Sequence, residues 1–220
     1  MKLSFLLRSV QLALVVYAAA VVPSVQAGSA TWNLDPATSD WTFSSNWTPE
    51  TVPSQPADTA TFEASNQTSV SIFVPVNTTF NVGAIQFDSG ASTFTITLAE
   101  SSTIVQISGA GIVNNSGLLQ NFTTERCSYL EFRESAAIGD LVTITNPQNE
   151  GCGASFVYFF DSASAGGSTI INEGAAVMGN YQAITNFFDS STAGNANISN
   201  QGANSGGVGG VRVLSNIQCR

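Results

Sequence analysis

The charged side chains beyond residue 27 are carboxylates and arginines, and the sequence contains no histidine. Without an imidazole there is no His-based catalytic triad and no histidine metal site. Two carboxylate pairs, Glu131 with Glu134 and Asp161 with Asp189, have the residue types that hydrolyse glycosidic bonds. Arg133 lies between the first two acids, and these three residues are more simply explained as exposed surface charges. No residue is therefore predicted to be catalytic.

Metal chemistry is limited in a similar way. The three cysteines, Cys127, Cys152 and Cys219, are not spaced like the ligands of a zinc site. Asp161 and Asp189 offer hard oxygen ligands that suit calcium, which is kept as an alternative. The Gly-Gly-x-Gly-x-Asp nonapeptide of calcium-loaded β-rolls is absent, however. The sequence thus predicts no metal, no cofactor and no enzymatic activity.

The charge of the chain argues against two classes of partner. Beyond residue 27 the chain has 15 acids and four arginines, which gives a net charge of −11. Such a charge repels phosphate backbones and releases no counterions from them, so nucleic-acid binding is not expected. Anionic lipid surfaces are disfavoured for the same reason.

Residues 1–27 have the features of a secretory signal peptide. Lys2 and Arg8 form a basic start, residues 10–22 are almost uninterruptedly apolar, and Val25-Gln26-Ala27 ends in a small residue. An apolar run of about 13 residues is too short for a transmembrane helix, which needs roughly 20. We expect cleavage after Ala27, no transmembrane segment afterwards, and a secreted or cell-surface location.

A repeat with a period of about 28 runs through the second half of the chain. Phe132, Phe160 and Phe188 are equally spaced, and similar Ser/Ala/Gly-rich sequence follows each of them. Each unit then contains an Ile-x-Asn step, and these steps are Ile144-Thr-Asn146, Ile170-Ile-Asn172 and Ile198-Ser-Asn200. Apolar residues alternate with Thr or Gln, which is typical of β-strands with one buried face. The clearest units are predicted at residues 132–159, 160–187 and 188–215.

This repeat length predicts an all-β domain over residues 69–220, folded as a right-handed, single-stranded parallel β-helix. A propeller blade needs about 40 residues or more, whereas one β-helix coil needs about 20–30. Successive coils lie about 4.8 Å apart, so equivalent residues stack. Three columns are expected: an internal aromatic column of Phe132, Phe160 and Phe188, an internal aliphatic column of Ile144, Ile170 and Ile198, and an amide ladder of Asn146, Asn172 and Asn200 at a turn. By the same spacing, Asp161 and Asp189 are expected to stack on the exterior.

Residues 28–68 differ from the repeats and are predicted to form an irregular N-terminal cap. All three tryptophans, Trp32, Trp41 and Trp47, lie here, together with most of the prolines. Without a cap, the first coil would expose an unpaired apolar sheet edge. The tryptophans are expected to pack inside this cap. The alternative is a ligand contact, in which their faces stack on sugar rings.

Several motifs resemble the autotransporter-associated β-strand repeat proteins of bacteria. They are Thr31-Trp32, Asn46-Trp47, Val52-Pro53, Asp58-Thr-Ala-Thr-Phe62 and Phe188-Asp-Ser-Ser-Thr-Ala-Gly-Asn-Ala196. The resemblance covers residues 29–216 and implies a secreted or surface-exposed β-helical passenger domain, often adhesin-like. The amphipathic strands of a C-terminal translocator barrel are missing from this sequence. Association with an outer membrane is therefore expected only if such a barrel exists.

These observations predict a non-enzymatic structural or adhesin-like surface protein whose partners are extracellular glycans, matrix or other cells. The alternatives are a carbohydrate-binding module that uses the tryptophans and a degenerate β-helical polysaccharide hydrolase. An exposed aromatic row along the helix would favour the first alternative, and a cleft with paired carboxylates would favour the second. Self-association is also expected at the C-terminal end, where residues 209–214 begin a strand with no following coil.

The cysteines generate the first testable prediction. The separation of Cys127 and Cys152 is about one coil, so their side chains can lie one above the other in an oxidising compartment. We expect them to form a disulfide that leaves Cys219 free or paired between molecules. Peptide mapping of the non-reduced protein tests this pairing. A link between Cys152 and Cys219 would contradict the expected stacking of the coils.

Overall fold

The computed structural model describes residues 28–99, 103–125, 127–148, 153–175, 181–202 and 213–215. These residues form β-strands, one 3-10 helix at Ser44–Asn46 and no α-helix. None of their helical structure is therefore long and apolar enough to cross a membrane. The predicted signal peptide lies outside the described residues.

Strands follow one another along the whole described chain. They are β1 (Ala30–Trp32), β2 (Trp47–Thr48), β3 (Thr59–Phe62), β4 (Ser69–Ile72), β5 (Thr79–Phe87), β6 (Thr95–Leu98), β7 (Ile104–Asn114), β8 (Gln120–Thr124), β9 (Tyr129–Phe132), β10 (Ala137–Ile138), β11 (Val142–Asn146), β12 (Phe156–Phe159), β13 (Thr169–Asn172), β14 (Ile184–Phe187), β15 (Asn197–Asn200) and β16 (Val213–Ser215).

The strands form two sheets. The ten-stranded sheet has the order β16-β14-β12-β9-β7-β5-β3-β1-β2, and β10 pairs with β7 beside this path. The six-stranded sheet has the order β15-β13-β11-β8-β6-β4. Every pairing between these strands is parallel except that of β1 with β2 at the N-terminal end. The chain therefore alternates between the sheets as it climbs, and the predicted all-β parallel β-helix is confirmed.

The length of a coil varies slightly along the helix. Tyr129 of β9 pairs with Phe156 of β12, and Phe156 pairs in turn with Ile184 of β14. The first of these two coils is one residue shorter than the second. On a short third side, a single parallel bridge connects Ala137 to Ser164. The repeat is close to the predicted period but not constant, and this difference matters for the register described below.

The core consists of columns of inward-pointing side chains. In the six-stranded sheet Ile144 pairs with Ile170 and Ile170 pairs with Ile198, which confirms the predicted aliphatic column. Ile144 and Ile170 are fully buried, and Ile198 is partly exposed. Toward the N-terminus the column continues through Phe122, Ile96 and Val70. The alternation of apolar residues with Thr in β11 explains why one side of the strand enters the core.

The predicted aromatic column is wrong in two of its three members. Phe132 is buried, but it stacks on Phe159, which in turn stacks on Phe187, with ring centroids 4.9 and 4.7 Å apart. Phe160 and Phe188 point outward and are partly exposed. The cause is the shorter coil from Phe132 to Phe159, because a shift of one residue moves a side chain to the opposite face of a strand. The predicted unit boundaries at 160 and 188 are each one residue too late.

The predicted asparagine ladder is present, but it does not lie at a turn. Nδ2 of Asn146 donates to Oδ1 of Asn172, and Nδ2 of Asn172 donates to Oδ1 of Asn200, each at 3.1 Å. The three residues belong to β11, β13 and β15, and the first two are fully buried. The hydroxyls of Thr124 and Thr185 donate to the two buried amide oxygens at 2.7 and 2.8 Å. A buried polar column is stable here because its groups have hydrogen-bond partners.

The region predicted as a cap contains both a tryptophan cluster and the first coil. The ring centroids of Trp32, Trp41 and Trp47 lie 6.0, 5.5 and 5.6 Å from that of Phe62. Within the same region, β1 pairs in parallel with β3, and β3 pairs with β5. The coils therefore begin before residue 69, where the cap was expected to end.

Cys127 is disulfide-bonded. Its Sγ atom lies 3.1 Å from the carbonyl oxygen of Gly153. Cys152 and Cys219 lie outside the described residues, so the pairing of Cys127 with Cys152 stays a prediction. The same holds for self-association at the C-terminal end, because residues 203–212 are also outside them.

Two neighbouring phenylalanines test the register. Phe159→Ala removes a fully buried ring and leaves a cavity, so we expect the free energy of unfolding to fall by about 3–5 kcal/mol. Phe160→Ala removes a partly exposed outer ring, and we expect a loss of less than about 1.5 kcal/mol. Equilibrium unfolding in urea measures both losses. Equal losses would contradict the inward position of Phe159 and the outward position of Phe160.

Candidate binding face on the ten-stranded sheet

Three of the four carboxylates that the sequence offered for chemistry lie in turns, and the fourth, Glu131, lies in β9. Glu134, Asp161 and Asp189 occupy equivalent exposed positions in three coils, with φ angles of 58°, 54° and 55°. Oδ2 of Asp161 accepts a hydrogen bond from the amide of Glu134 at 2.9 Å, and Oδ2 of Asp189 accepts one from the amide of Asp161 at 3.1 Å. The expected exterior stacking of the two aspartates is confirmed. We call Glu134, Asp161 and Asp189 the acidic column.

The acidic column does not by itself form a metal site. No three or more Cys, Asp or Glu side chains lie close enough to hold a metal ion in the part of the chain that the structure describes. Among the described residues, no third Cys, Asp or Glu side chain therefore lies close enough to complete a calcium site at Asp161 and Asp189.

Glu131 and Arg133 form an ion pair on the outer side of the sheet. Nη2 and Nε of Arg133 lie 2.7 and 3.0 Å from Oε2 of Glu131, and Nε2 of Gln106 lies 2.9 Å from the same oxygen. Only 7% of Glu131 is exposed, so the expected exposed charge group is wrong for this residue. It is buried because it lies between Gln106 and Tyr158 in one column of the sheet. Glu131 is thus committed to a different set of partners from Glu134.

The tryptophans do not form a ligand platform. Trp32 is 1% exposed, and Trp41 and Trp47 are not exposed at all. Their indole Nε1 groups donate to the backbone oxygens of Gln67, Pro53 and Trp41 at 3.1, 3.1 and 2.7 Å. The sugar-stacking alternative is wrong for these residues because their ring faces pack the cap. Their expected role inside the cap is confirmed.

A different set of aromatic residues lies on the outer surface of the ten-stranded sheet. Alternate residues of β9, β12 and β14, together with the residue that follows each strand, point outward and form three adjacent columns. The columns are Tyr129, Phe156 and Ile184; Glu131, Tyr158 and Asn186; and Arg133, Phe160 and Phe188. The aromatic members are all partly exposed, and we call them the aromatic face: Tyr129, Phe156, Tyr158, Phe160 and Phe188.

The rings of the aromatic face pack against one another. Tyr129 stacks on Phe156 with centroids 4.6 Å apart, and Phe160 stacks on Phe188 with centroids 4.8 Å apart. Tyr158 lies between these two columns and is perpendicular to both Phe160 and Phe188. The guanidinium carbon of Arg133 lies 4.2 Å from the Phe160 centroid, so Phe160 has a neighbour on each side of its ring. A ligand would meet an ordered apolar surface.

The aromatic face is electrically neutral, and one border of it is negative. Arg133 and Glu131 neutralise each other, whereas the acidic column directly follows the third column of the face along the chain. Burial raises the pKa of Tyr158 to about 12, with smaller contributions from Tyr129 and Glu131. The Tyr158 hydroxyl is therefore protonated at neutral pH and can both donate and accept a hydrogen bond.

The sequence contained a signal for this face, but the equal spacing of Phe132, Phe160 and Phe188 favoured a different register. Residues 156–160, Phe-Val-Tyr-Phe-Phe, are apolar or aromatic at every position, so both sides of this strand are apolar. Counting from Phe132 with a constant period assigned Phe160 to the interior. The neighbouring Phe159 offered the other register, and only the length of the coil distinguishes the two.

Comparison with known proteins finds no matching protein-family model, no matching curated protein and no matching solved structure. The resemblance to autotransporter-associated repeat proteins therefore rests on the sequence motifs alone.

The pKa of Tyr158 can be tested by ultraviolet titration of the tyrosines. Its folded pKa of about 12 lies above the ordinary value of 10.0, so the folded state holds this proton more tightly than the unfolded state. The free energy of unfolding should therefore be insensitive to Tyr158 below pH 10 and should fall as the pH rises from 10 to about 12. Tyr158→Phe should abolish the late step of the titration. Loss of a step near the ordinary pKa of 10.0 in this variant, with the late step retained, would contradict the assignment.

Proposed function

We propose that the protein is a secreted or cell-surface, non-enzymatic, adhesin-like protein that binds its partners through the aromatic face. The observation that carries the proposal is the face itself, in which five partly exposed aromatic side chains lie side by side on a regular parallel sheet. Contiguous exposed apolar patches on soluble proteins mark interaction sites. Aromatic residues are also enriched in the centres of interfaces.

The β-helix provides a rigid support for this face. Each strand beneath it is paired on both sides, and the inner column of Phe132, Phe159 and Phe187 packs behind it with interplanar angles of 10° and 11°. Side chains held in this way lose little conformational freedom on binding. Preorganisation of this kind lowers the entropic cost of association.

The acids beside the face have structural partners, which favours binding over hydrolysis. Glu131 is held by Arg133 and Gln106, and the carboxylates of Asp161 and Asp189 accept backbone hydrogen bonds. Hydrolysis by two carboxylates requires an acid and a base that face each other across a space for the substrate. Acids that hold turns and ion pairs are less suited to this work.

The disulfide state of Cys127 supports an extracellular location. Disulfides persist mainly in oxidising compartments such as the periplasm and the cell surface. This agrees with the secretory signal peptide that the sequence predicts for residues 1–27.

A glycan is the second candidate ligand, because an aromatic row along a β-helix is a surface on which sugars can stack. The arrangement of the rings argues against it. Sugar rings need free aromatic faces, whereas Phe160 is covered by Arg133 on one side and Phe188 on the other. Tyr129 and Phe156 likewise cover one face of each other. Interdigitating side chains of a protein partner fit this surface better.

Binding of the secreted full chain to immobilised fibronectin, laminin and collagen, and to a glycan array, tests the proposal. We expect binding to a member of this panel and a loss of at least about tenfold in affinity for the double variant Tyr158→Ser/Phe188→Ser. Thr143→Ser/Ile171→Ser is the matched control, because these residues lie on the outer side of the six-stranded sheet. We expect it to bind like the wild type. Circular dichroism and thermal melts should show that both variants fold, and equal binding by the face variant would contradict the proposal.

A further inference from the structure

We propose that the aromatic face and the acidic column together bind a basic polypeptide segment. Long arginine or lysine side chains of the partner would lie across the outer edges of the stacked rings, with their charged ends at the acidic column. This inference rests on the proposed function and specifies the chemistry of the partner.

The acidic column is a continuous negative border of the face. Glu134, Asp161 and Asp189 directly follow Arg133, Phe160 and Phe188, and successive coils are about 4.8 Å apart. One oxygen of each aspartate is held by a backbone amide of the neighbouring coil, which fixes the carboxylates along the helix axis. Like charges at this spacing repel one another, and cations placed beside them relieve that repulsion.

Basic side chains match both parts of this surface. Arginine and lysine bury their apolar stems on apolar surfaces while their charged ends stay beside polar groups. Arg133 shows this match within the protein itself. Its guanidinium lies over the ring of Phe160 at 4.2 Å and donates to Glu131 at 2.7 Å. Asp189 directly follows Phe188 along the chain, so a partner's arginine would find a ring and a carboxylate on neighbouring residues there.

Asn186 gives a second and independent indication. It follows Tyr158 in the middle column of the face and is 9% exposed. Its Oδ1 atom is buried and has no hydrogen-bond partner among the residues that the structure describes. An unpaired buried acceptor is costly, and a ligand donor that reaches Oδ1 after rotation of the Asn186 side chain would remove this cost. A guanidinium brings five N–H donors and no acceptor.

Charge decides between a basic partner and a second copy of this chain. The protein has a net charge of −9. Two copies of an acidic chain repel each other, and juxtaposed like charges disfavour an interface between their aromatic faces. A basic segment has the complementary charge.

Fluorescence anisotropy with labelled octa-arginine as the probe tests the inference on the full chain, at about 0.15 M salt, where long-range attraction is screened. We expect Asp161→Asn/Asp189→Asn to weaken binding about tenfold, since two ion pairs are lost. Asparagine retains an oxygen for the backbone hydrogen bonds and tolerates the left-handed turn, so the fold should be kept. Glu50→Gln/Glu63→Gln removes the same charge from exposed positions elsewhere, and we expect less than about a twofold change.

A separate variant tests the contribution of the aromatic face to octa-arginine binding. Phe188→Ser should weaken octa-arginine binding roughly threefold or more, because the stem of the arginine loses its apolar support. Ile171→Ser on the other sheet should leave the affinity unchanged. Equal weakening by the two acid variants would overturn the inference, since it would indicate only general attraction to an acidic protein. Binding of neutral glycans in place of the peptide, or dimerisation in sedimentation experiments that Phe188→Ser abolishes, would overturn it as well.

The two proposals fail in distinguishable ways. One outcome is that Tyr158→Ser/Phe188→Ser abolishes binding to the matrix or glycan panel, while the affinity for octa-arginine is unchanged by Phe188→Ser and by Asp161→Asn/Asp189→Asn. In that case the basic partner is wrong and the adhesin-like function stands. If the face variant binds that panel like the wild type, the proposed function itself is wrong.

Discussion

Parallel backbone hydrogen bonds between successive coils hold equivalent residues about 4.8 Å apart, and the rest of the structure depends on this constraint. Each side chain is forced to lie directly above the side chain one coil earlier, so each position must contain a residue that packs against, or bonds to, its neighbours in the adjacent coils. Isoleucine meets isoleucine along β11, β13 and β15, and phenylalanine meets phenylalanine along β9, β12 and β14. The same constraint turns single residues into columns on the outside.

In the amide ladder and in the acidic column, polar groups of one coil form hydrogen bonds with the neighbouring coil. The buried amide of Asn146 donates to Asn172 and accepts from Thr124, so the ladder crosses the core without unpaired atoms in these amides. On the surface, the carboxylates of Asp161 and Asp189 likewise each accept a hydrogen bond from a backbone amide of the preceding coil. Because these aspartates hold positive-φ turns, the residues that form the turns also supply the negative border of the aromatic face.

The aromatic face shows how a small irregularity places aromatic rings on both sides of one sheet. The coil that ends at Phe159 is one residue shorter than the next, so Phe159 enters the core and Phe160 lies outside. The following coil repeats this arrangement with Phe187 and Phe188. Both sides of the sheet then carry stacked rings, with Phe159 behind and Phe160 in front. The inner stack stabilises the solenoid, and the outer stack presents an apolar surface that costs little entropy to bind, because its rings are already ordered by their neighbours.

The sequence alone was sufficient for the fold class and for two of the three columns. The Ile-x-Asn step recurs in successive coils, so it identifies equivalent residues even where the turns between them differ in length. It therefore predicted the stacking of Ile144 on Ile170 and of Asn146 on Asn172. The sequence did not determine which of two adjacent phenylalanines enters the core, where the first coil begins, or that Glu131 is buried. Side chains alternate with a period of two, so one residue more or fewer in a turn reverses inside and outside, and only the backbone pairing of the folded chain decides that count.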